Sequence, residues 1–264
     1  LSVTDELGAT TTVDYDVFGR PLDMVAPLDS AAGEFITTPA PTYDPNDNIV
    51  IESAPNGAVT TYEFDPADRI VAAEAPKDDP ADPDRVTTVE YDLAGNVVSV
   101  TEPLGNLDGA EPDSYTTTYV YDEVHQLVTN VDAAGNETSY SYDQVGQLVA
   151  VTDARDNTTS YVYNLNRQLV ETVDAAGHSV SNEYDLDGLA TASIDQAGVR
   201  SETVYDARGM VVEQHQPHAD GITRITRFEY DQVGNTTRVI SPRGVQRGDG
   251  EAFTQETVYD ELNR

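Results

Sequence analysis

The feature that most constrains this chain is a dipeptide, Tyr-Asp or a near relative, that returns along its whole length. It stands at Tyr15-Asp16, Tyr43-Asp44, Phe64-Asp65, Tyr91-Asp92, Tyr121-Asp122 and Tyr142-Asp143. It recurs at Tyr163-Asn164, Tyr184-Asp185, Tyr205-Asp206, Tyr230-Asp231 and Tyr259-Asp260. From Tyr121 to Tyr205 each step is 21 residues, and elsewhere the step runs from 21 to 30. A fixed period of this size marks a repeat architecture whose units contact mainly their neighbours.

The surplus residues of the longer steps lie in stretches rich in Pro, Gly and Asp: Ala75–Asp84, Leu104–Asp113 and Arg243–Gly250. Insertions are tolerated at loop tips and not inside strands, so these stretches locate turns. Within a regular copy, Tyr140 and Tyr142 are two apart and share a strand face. Asp143 to Gly146 reads as a turn, because Asp caps a turn through its side chain and Gly accepts positive φ. A second strand returns through Leu148 to Thr152, rich in β-branched residues. A second turn follows, clearest at Asp132–Asn136 and Asp174–Gly177. Gly comes three residues after the acidic position at Gly19, Gly95, Gly146, Gly188, Gly209 and Gly234. The other copies carry Asp47, Asp68, His125, Arg167 and Asn263 there, a polar and turn-compatible set.

Apolar residues are spaced by two, and turn signals come about every ten residues, too often for helices of ordinary length. The expected fold is therefore all-β, with tandem antiparallel hairpins forming a continuous sheet. One hairpin cannot bury a core, so the units must stack. A long twisted sheet of this kind is expected to coil into a spiral, shell or tube. The ladder Tyr121, Tyr142, Tyr163, Tyr184 and Tyr205 reads first as cross-strand packing, with a sugar-stacking surface as the alternative. The chain starts without Met and stops inside a motif, so residues 1–264 are read as one continuous array of about eleven units within a longer polypeptide.

Charge narrows the partners. With 48 acidic and 14 basic residues the net charge is −34, the wrong sign for neutralising phosphates, so no nucleic-acid partner is expected. A halophilic source, divalent cations in Asp-rich turns, or an ordinary acidic secreted surface would each account for the acidity. Cysteine is absent, which removes disulfides without fixing the compartment. No apolar run approaches the ~18 residues of a membrane helix, so no membrane insertion is expected.

Copies such as Tyr140-Ser141-Tyr142-Asp143-Gln144-Val145-Gly146-Gln147-Leu148-Val149 resemble the YD repeat of the RHS family, and the resemblance covers essentially the whole chain. The family includes bacterial Rhs proteins, the cocoon-forming subunits of insecticidal toxin complexes, wall-associated proteins of Gram-positive bacteria, and animal teneurins. The resemblance implies a secreted or cell-surface scaffold without chemistry of its own. In toxin members the repeats spiral into a hollow shell around a C-terminal toxin; in teneurins a similar shell carries adhesion surfaces. The Asp-Pro-x-Gly core that ends the toxin-carrying shells has no counterpart here: Asp44-Pro45 and Asp65-Pro66 lack the Gly and read as turn residues.

No catalytic constellation emerges. There is no phosphate loop, no serine elbow and no Cys/His pair. His125 and His178 sit at turns, and His215-Gln216-Pro217-His218 falls in one of the longer inter-strand insertions, too sparse for zinc. No cofactor is expected; structural calcium stays open at Asp153–Asn157 and at Asp44 with Asp47, although no EF-hand spacing occurs. Three functions follow: a structural shell or filament, which in toxin members encloses a payload; a glycan- or cell-binding adhesion module; and, last, an enzyme. The expected partners are other repeats of the same chain or neighbouring copies, an enclosed toxin domain, or surface glycans.

Overall fold

A computed structural model describes residues 2–4, 10–29, 34–77, 79, 81–218, 221–248 and 253–260. The motif position Asn263 and the insertion residues Asp78, Pro80, Asp249 and Gly250 lie outside these. The chain divides into two units, Leu1–Ser139 and Tyr140–Arg264.

The N-terminal unit opens with a four-stranded sheet: Ser2–Thr4, Thr10–Tyr15, Pro21–Asp29 and Glu34–Thr38, paired in chain order. Its second sheet runs through Thr42–Tyr43, Ile49–Ser53, Val59–Phe64, Ile70–Glu74, Val86–Tyr91, Val97–Thr101, Thr116–Tyr121 and Leu127–Val131. It ends at the start of Glu137–Tyr142, where Glu137 to Ser139 pair with Val131 to Thr129. Within the C-terminal unit the strands are Leu148–Thr152, Thr158–Tyr163, Leu169–Val173, Ser179–Tyr184 and Ala190–Ile194. They continue through Arg200–Tyr205, Val211–Pro217, Thr223–Tyr230, Thr236–Ile240 and Thr254–Glu256. Each strand pairs antiparallel with the next in sequence, as short connections require. The all-β expectation of tandem antiparallel hairpins is met.

Register explains the position of the motif. In one hairpin Tyr161 faces Thr172 and Val162 faces Glu171, and then the pairing shifts so that Tyr163 faces Leu169. The same shift falls at Phe64, Tyr121, Tyr184, Tyr205 and Tyr230. One extra residue on the returning strand forms a bulge, the regular outcome when a tight turn ends in a left-handed residue.

Each sheet is one layer thick. The strands' Val and Leu side chains are mostly half-buried, and Ala192, 4% exposed, is the one buried apolar residue among those described. The accessible area is 17660 Å². Among the described residues, ladder bonds, cross-strand pairs and turn chemistry are more prominent than buried side chains.

Three segments differ from the sequence reading. The Leu104–Asp113 insertion contributes to two 3₁₀ turns, Pro103–Asn106 and Pro112–Tyr115. Gly105 is buried between them, where a Cβ would meet Thr101 Cγ2 at 2.7 Å and Tyr115 Cβ at 2.8 Å. Arg243–Gly250 is no plain loop either: the α-helix Pro242–Arg247 starts with Pro in its first turn and ends at left-handed Gly248. Finally, His215 lies in a strand opposite Ile225, and His218 starts a five-residue turn, so the longer step there lengthens the strands instead of inserting a loop. Among the described residues no helix is long and apolar enough to cross a membrane.

Candidate functional site

The chemistry of the fold is concentrated at the two rims where strands turn. The Tyr-Asp motif builds one of them. At Asp143 the backbone N–H donates to Gln147 O at 2.9 Å, and Gly146 N–H donates to Asp143 O at 3.1 Å. One carboxylate oxygen, Asp143 Oδ1, accepts the N–H groups of Val145 and Gln147, both at 2.9 Å. A single side chain thereby satisfies two donors that the turn would otherwise leave to water. Asn164 does the same with its amide oxygen. The fourth position is left-handed in the described copies: φ is 84° at Gly19, 96° at Gly95, 84° at Gly146, 87° at Gly188, 78° at Gly209 and 100° at Gly234. Asp47, Asp68, His125 and Arg167 take the same conformation, at 69°, 59°, 65° and 63°.

The fifth residue carries a role that the sequence reading missed. Its side chain reaches the next turn along the rim. Arg20 bridges to Asp47 at 2.7 Å, Asn48 donates to Asp68 Oδ1 at 2.8 Å, and Arg69 donates to Asp92 O at 3.4 Å. Asn96 meets His125 Nδ1 at 3.0 Å, Gln147 donates to Arg167 O at 3.4 Å, and Gln168 donates to Gly188 O at 2.9 Å. Where the fifth residue is apolar the contact is packing: Leu189 lies beside Gly209 and Met210 beside Gly234. The fifth residue also loads the turn carboxylate. The Asn48, Arg69 and Asn96 side chains hold Asp44, Asp65 and Asp92 below the usual carboxylate range. The backbone N–H groups of Arg20 and Met210 do the same for Asp16 and Asp206. A recurring Arg, Asn or Gln straight after the turn glycine was the available signal.

At seven positions the motif tyrosine ties its hairpin to the one before it. Its hydroxyl donates to a carbonyl at the start of a preceding strand: Tyr91 to Ile70 O (2.9 Å), Tyr163 to Leu148 O (3.0 Å) and Tyr184 to Leu169 O (2.9 Å). Tyr205 reaches Ala190 O (2.8 Å), Tyr230 Val211 O (2.7 Å), Tyr259 Thr236 O (3.2 Å) and Tyr43 Pro21 O (3.3 Å). Phe64 has no hydroxyl to give. Tyr43, Tyr91, Tyr121, Tyr142, Tyr163, Tyr184, Tyr205, Tyr230 and Tyr259 are half-buried, while Tyr15 is 47% exposed. Tyrosines fixed in this way favour packing over sugar stacking.

The opposite rim uses the same five-residue turn with less attachment. Asp132, Asp153, Asp174 and Asp195 each accept two backbone N–H groups through Oδ1. At the turns named for calcium, Asp153 Oδ2 accepts from Asn157, Asp44 Oδ2 accepts from Asn48, and Asp47 bridges Arg20. Among the described residues no three His, Cys, Asp or Glu side chains are placed to hold a metal ion. His178 bonds Asp174 within its turn, and His215 lies between Glu213 and Glu202 on the sheet surface.

Tandem antiparallel hairpins with a Tyr-Asp turn define the class: a β-hairpin repeat architecture one sheet thick. The RHS Repeat family model matches residues 121–156 and 142–179, so that stretch is similar to RHS repeats. The crystal structure of TcdB2-TccC3 without its hypervariable C-terminal region superposes with a TM-score of 0.64 and 14% identity over 91% of this chain. That of TcdB2-TccC3 gives 0.63 and 14% over 91%, and the Photorhabdus luminescens Tc holotoxin pore gives 0.51 and 17% over 91%. At such identities the likeness is one of fold. The chain spans 14% to 15% of the length of those solved chains. No curated protein matches it.

Proposed function

We propose that this chain is a length of non-catalytic wall in a large secreted or cell-surface RHS-repeat protein, its hairpins continuing as one array that coils into a β shell. The observation that carries this reading is the single-layer sheet with its turn-to-turn ties along the motif rim. An array whose units are fastened laterally, with Ala192 the one buried apolar residue among those described, is suited to separating two compartments. The fold likeness to TcdB2-TccC3 supports a shell over a filament, and a toxin domain is the partner this reading places inside. An adhesion role has less support, because the hydroxyls that would meet sugars are bonded to backbone carbonyls.

Electron microscopy of the intact protein containing this segment tests the proposal. A closed capsule with internal density is the expected image. An extended tube of repeating units would overturn the shell and leave a structural filament.

A further inference from the structure

The basic residues of this acidic chain are not spread evenly. Residues 200–247 hold seven of the 14 basic residues and only six of the 48 acidic ones. Around this region most arginines are spent on carboxylates: Arg200 on Glu183 and Glu202, Arg208 on Asp206, Arg227 on Glu213, Arg238 on Glu229. Arg224 and Arg243 are different. Among the described residues neither has a carboxylate partner, and both line one cavity of about 500 Å³ at the rim opposite the motif turns of the C-terminal unit.

The rest of the lining suits a particular ligand. Ile222, Pro242 and Phe253 form an apolar wall, and Arg247 lies over the Phe253 ring at 5.4 Å, which fixes the face that the ring presents. Ser241 and Gln246 add short- and long-reach hydrogen-bonding groups. Two guanidinium forks recognise a carboxylate through paired N–H donors, which an ammonium cannot reproduce. An apolar ring face and neutral polar groups suit the pyranose carbons and hydroxyls. The volume lies within the range of small-ligand sites and accommodates a sugar residue. The surrounding negative charge repels anions at long range, so an anion is held here only by short-range pairing inside the cavity.

We propose that this cavity is a binding site for a carboxylated sugar, a uronate unit of an acidic glycan, with Arg224 and Arg243 clamping the carboxylate and Phe253 supporting the ring. It is independent of the shell reading: a wall segment can carry a surface lectin site or lack one.

The test uses the full chain and titrates sodium glucuronate by calorimetry or NMR, with glucose as the neutral control. Saturable glucuronate binding is expected, at least tenfold tighter than glucose. Arg224→Gln and Arg243→Gln should each weaken it about tenfold, and Arg243→Lys should fail to restore it, from the strength of paired charge-assisted bonds. Arg227→Gln, which removes a carboxylate-paired arginine outside the cavity, should leave binding unchanged. Circular dichroism of each variant separates lost binding from lost folding. Equal affinity for glucose and glucuronate, absence of glucuronate binding, or undiminished binding by a folded R224Q/R243Q variant would overturn the proposal. A fall in melting temperature without any ligand effect would assign the arginines to holding the loop instead.

Discussion

The two rims of the sheet are made from the same turn, yet they have diverged. On the motif rim, ten described turns from Asp16–Arg20 to Asp231–Asn235 close with the same first-to-fifth backbone bond and keep the same length. On the opposite rim six turns keep that length, while three grow: Ala75 still bonds Arg85, Glu102 bonds Tyr115, and Ser241 bonds Phe253, with the extra residues looped out beyond the closing bond. The difference lies in what each turn touches. Motif-rim turns reach one another through their fifth residues, so an insertion would break a contact to the neighbour. Gly57, Gly135, Gly177 and Gly198 on the other rim have open space where a side chain would start. A turn held to its neighbours by fewer contacts, such as the 3.5 Å one from Gln196 to Asp174, is freer to vary.

The largest effect should come from acid. Asp16, Asp44, Asp65, Asp92 and Asp206 have folded-state pKa values below the ordinary 3.8. Their contribution to stability is therefore fully present above that value and is lost as pH falls through the lower folded-state values. Urea midpoints measured from pH 5 to pH 2 should fall steeply at the bottom of this range. Hydrogen exchange should show the Asn164 turn, whose capping oxygen does not titrate, outlasting the Asp65 turn in acid. Equal loss at both turns would mean that the capping carboxylates do not set acid stability.

Next in size is an insertion. Six Gly/Ser residues placed within Asp143–Gln147 should cost roughly 2–3 kcal/mol, from the turn bonds and the Gln147 contact at about 1 kcal/mol each. The same insertion within the Ala75–Arg85 loop should cost about 0.6 kcal/mol or less, because lengthening an already long loop adds little closure entropy. Denaturant melts of both variants would decide; equal costs would erase the distinction between rims.

Smaller again is the tyrosine hydroxyl. Tyr205→Phe should lose about 1 kcal/mol with its bond to Ala190 O. Phe64→Tyr should recover part of that amount at the one motif position without a hydroxyl. A neutral Tyr205→Phe would reduce the ladder to packing.

Much of this was legible in the sequence because the repeat advertises its own geometry. The period, the two turns and the left-handed fourth position all follow from residue types at fixed offsets, including Asp47, Asp68, His125 and Arg167 where Gly is missing. What stayed hidden depends on register between chain segments. The acceptor of Tyr163 is 15 residues back and that of Tyr91 is 21 back, a variation that local pattern cannot supply. The cavity between Arg224 and Arg243 is likewise built across an insertion, and the helix within it, Pro242–Arg247, is too short to announce itself by periodicity. The scarcity of buried side chains among the described residues was partly legible, since alternating strands are half-buried whereas strands covered on both faces read as continuous apolar runs.

The smallest expected effect has the sharpest consequence for function. The motif rim carries large apolar residues at its tips: Leu93, Leu165 and Leu186 are 109%, 104% and 102% exposed, and Val17 is 94% exposed. The equivalent tips of the other rim carry Ala133, Ala154, Ala175 and Gln196. Burying a leucine is worth roughly 1.5–3 kcal/mol, and none of that is realised at these tips. Leu165→Asp and Leu186→Asp should therefore change the stability of the isolated chain by no more than about 0.5 kcal/mol. In the intact protein the same substitutions should lower thermal stability if the rim lies against another part of the wall, and should change nothing if it faces water. A cost above 1 kcal/mol in the isolated chain would show that the tips already make contacts there, and the contrast between a tightly tied rim and a looser one would need to be redrawn.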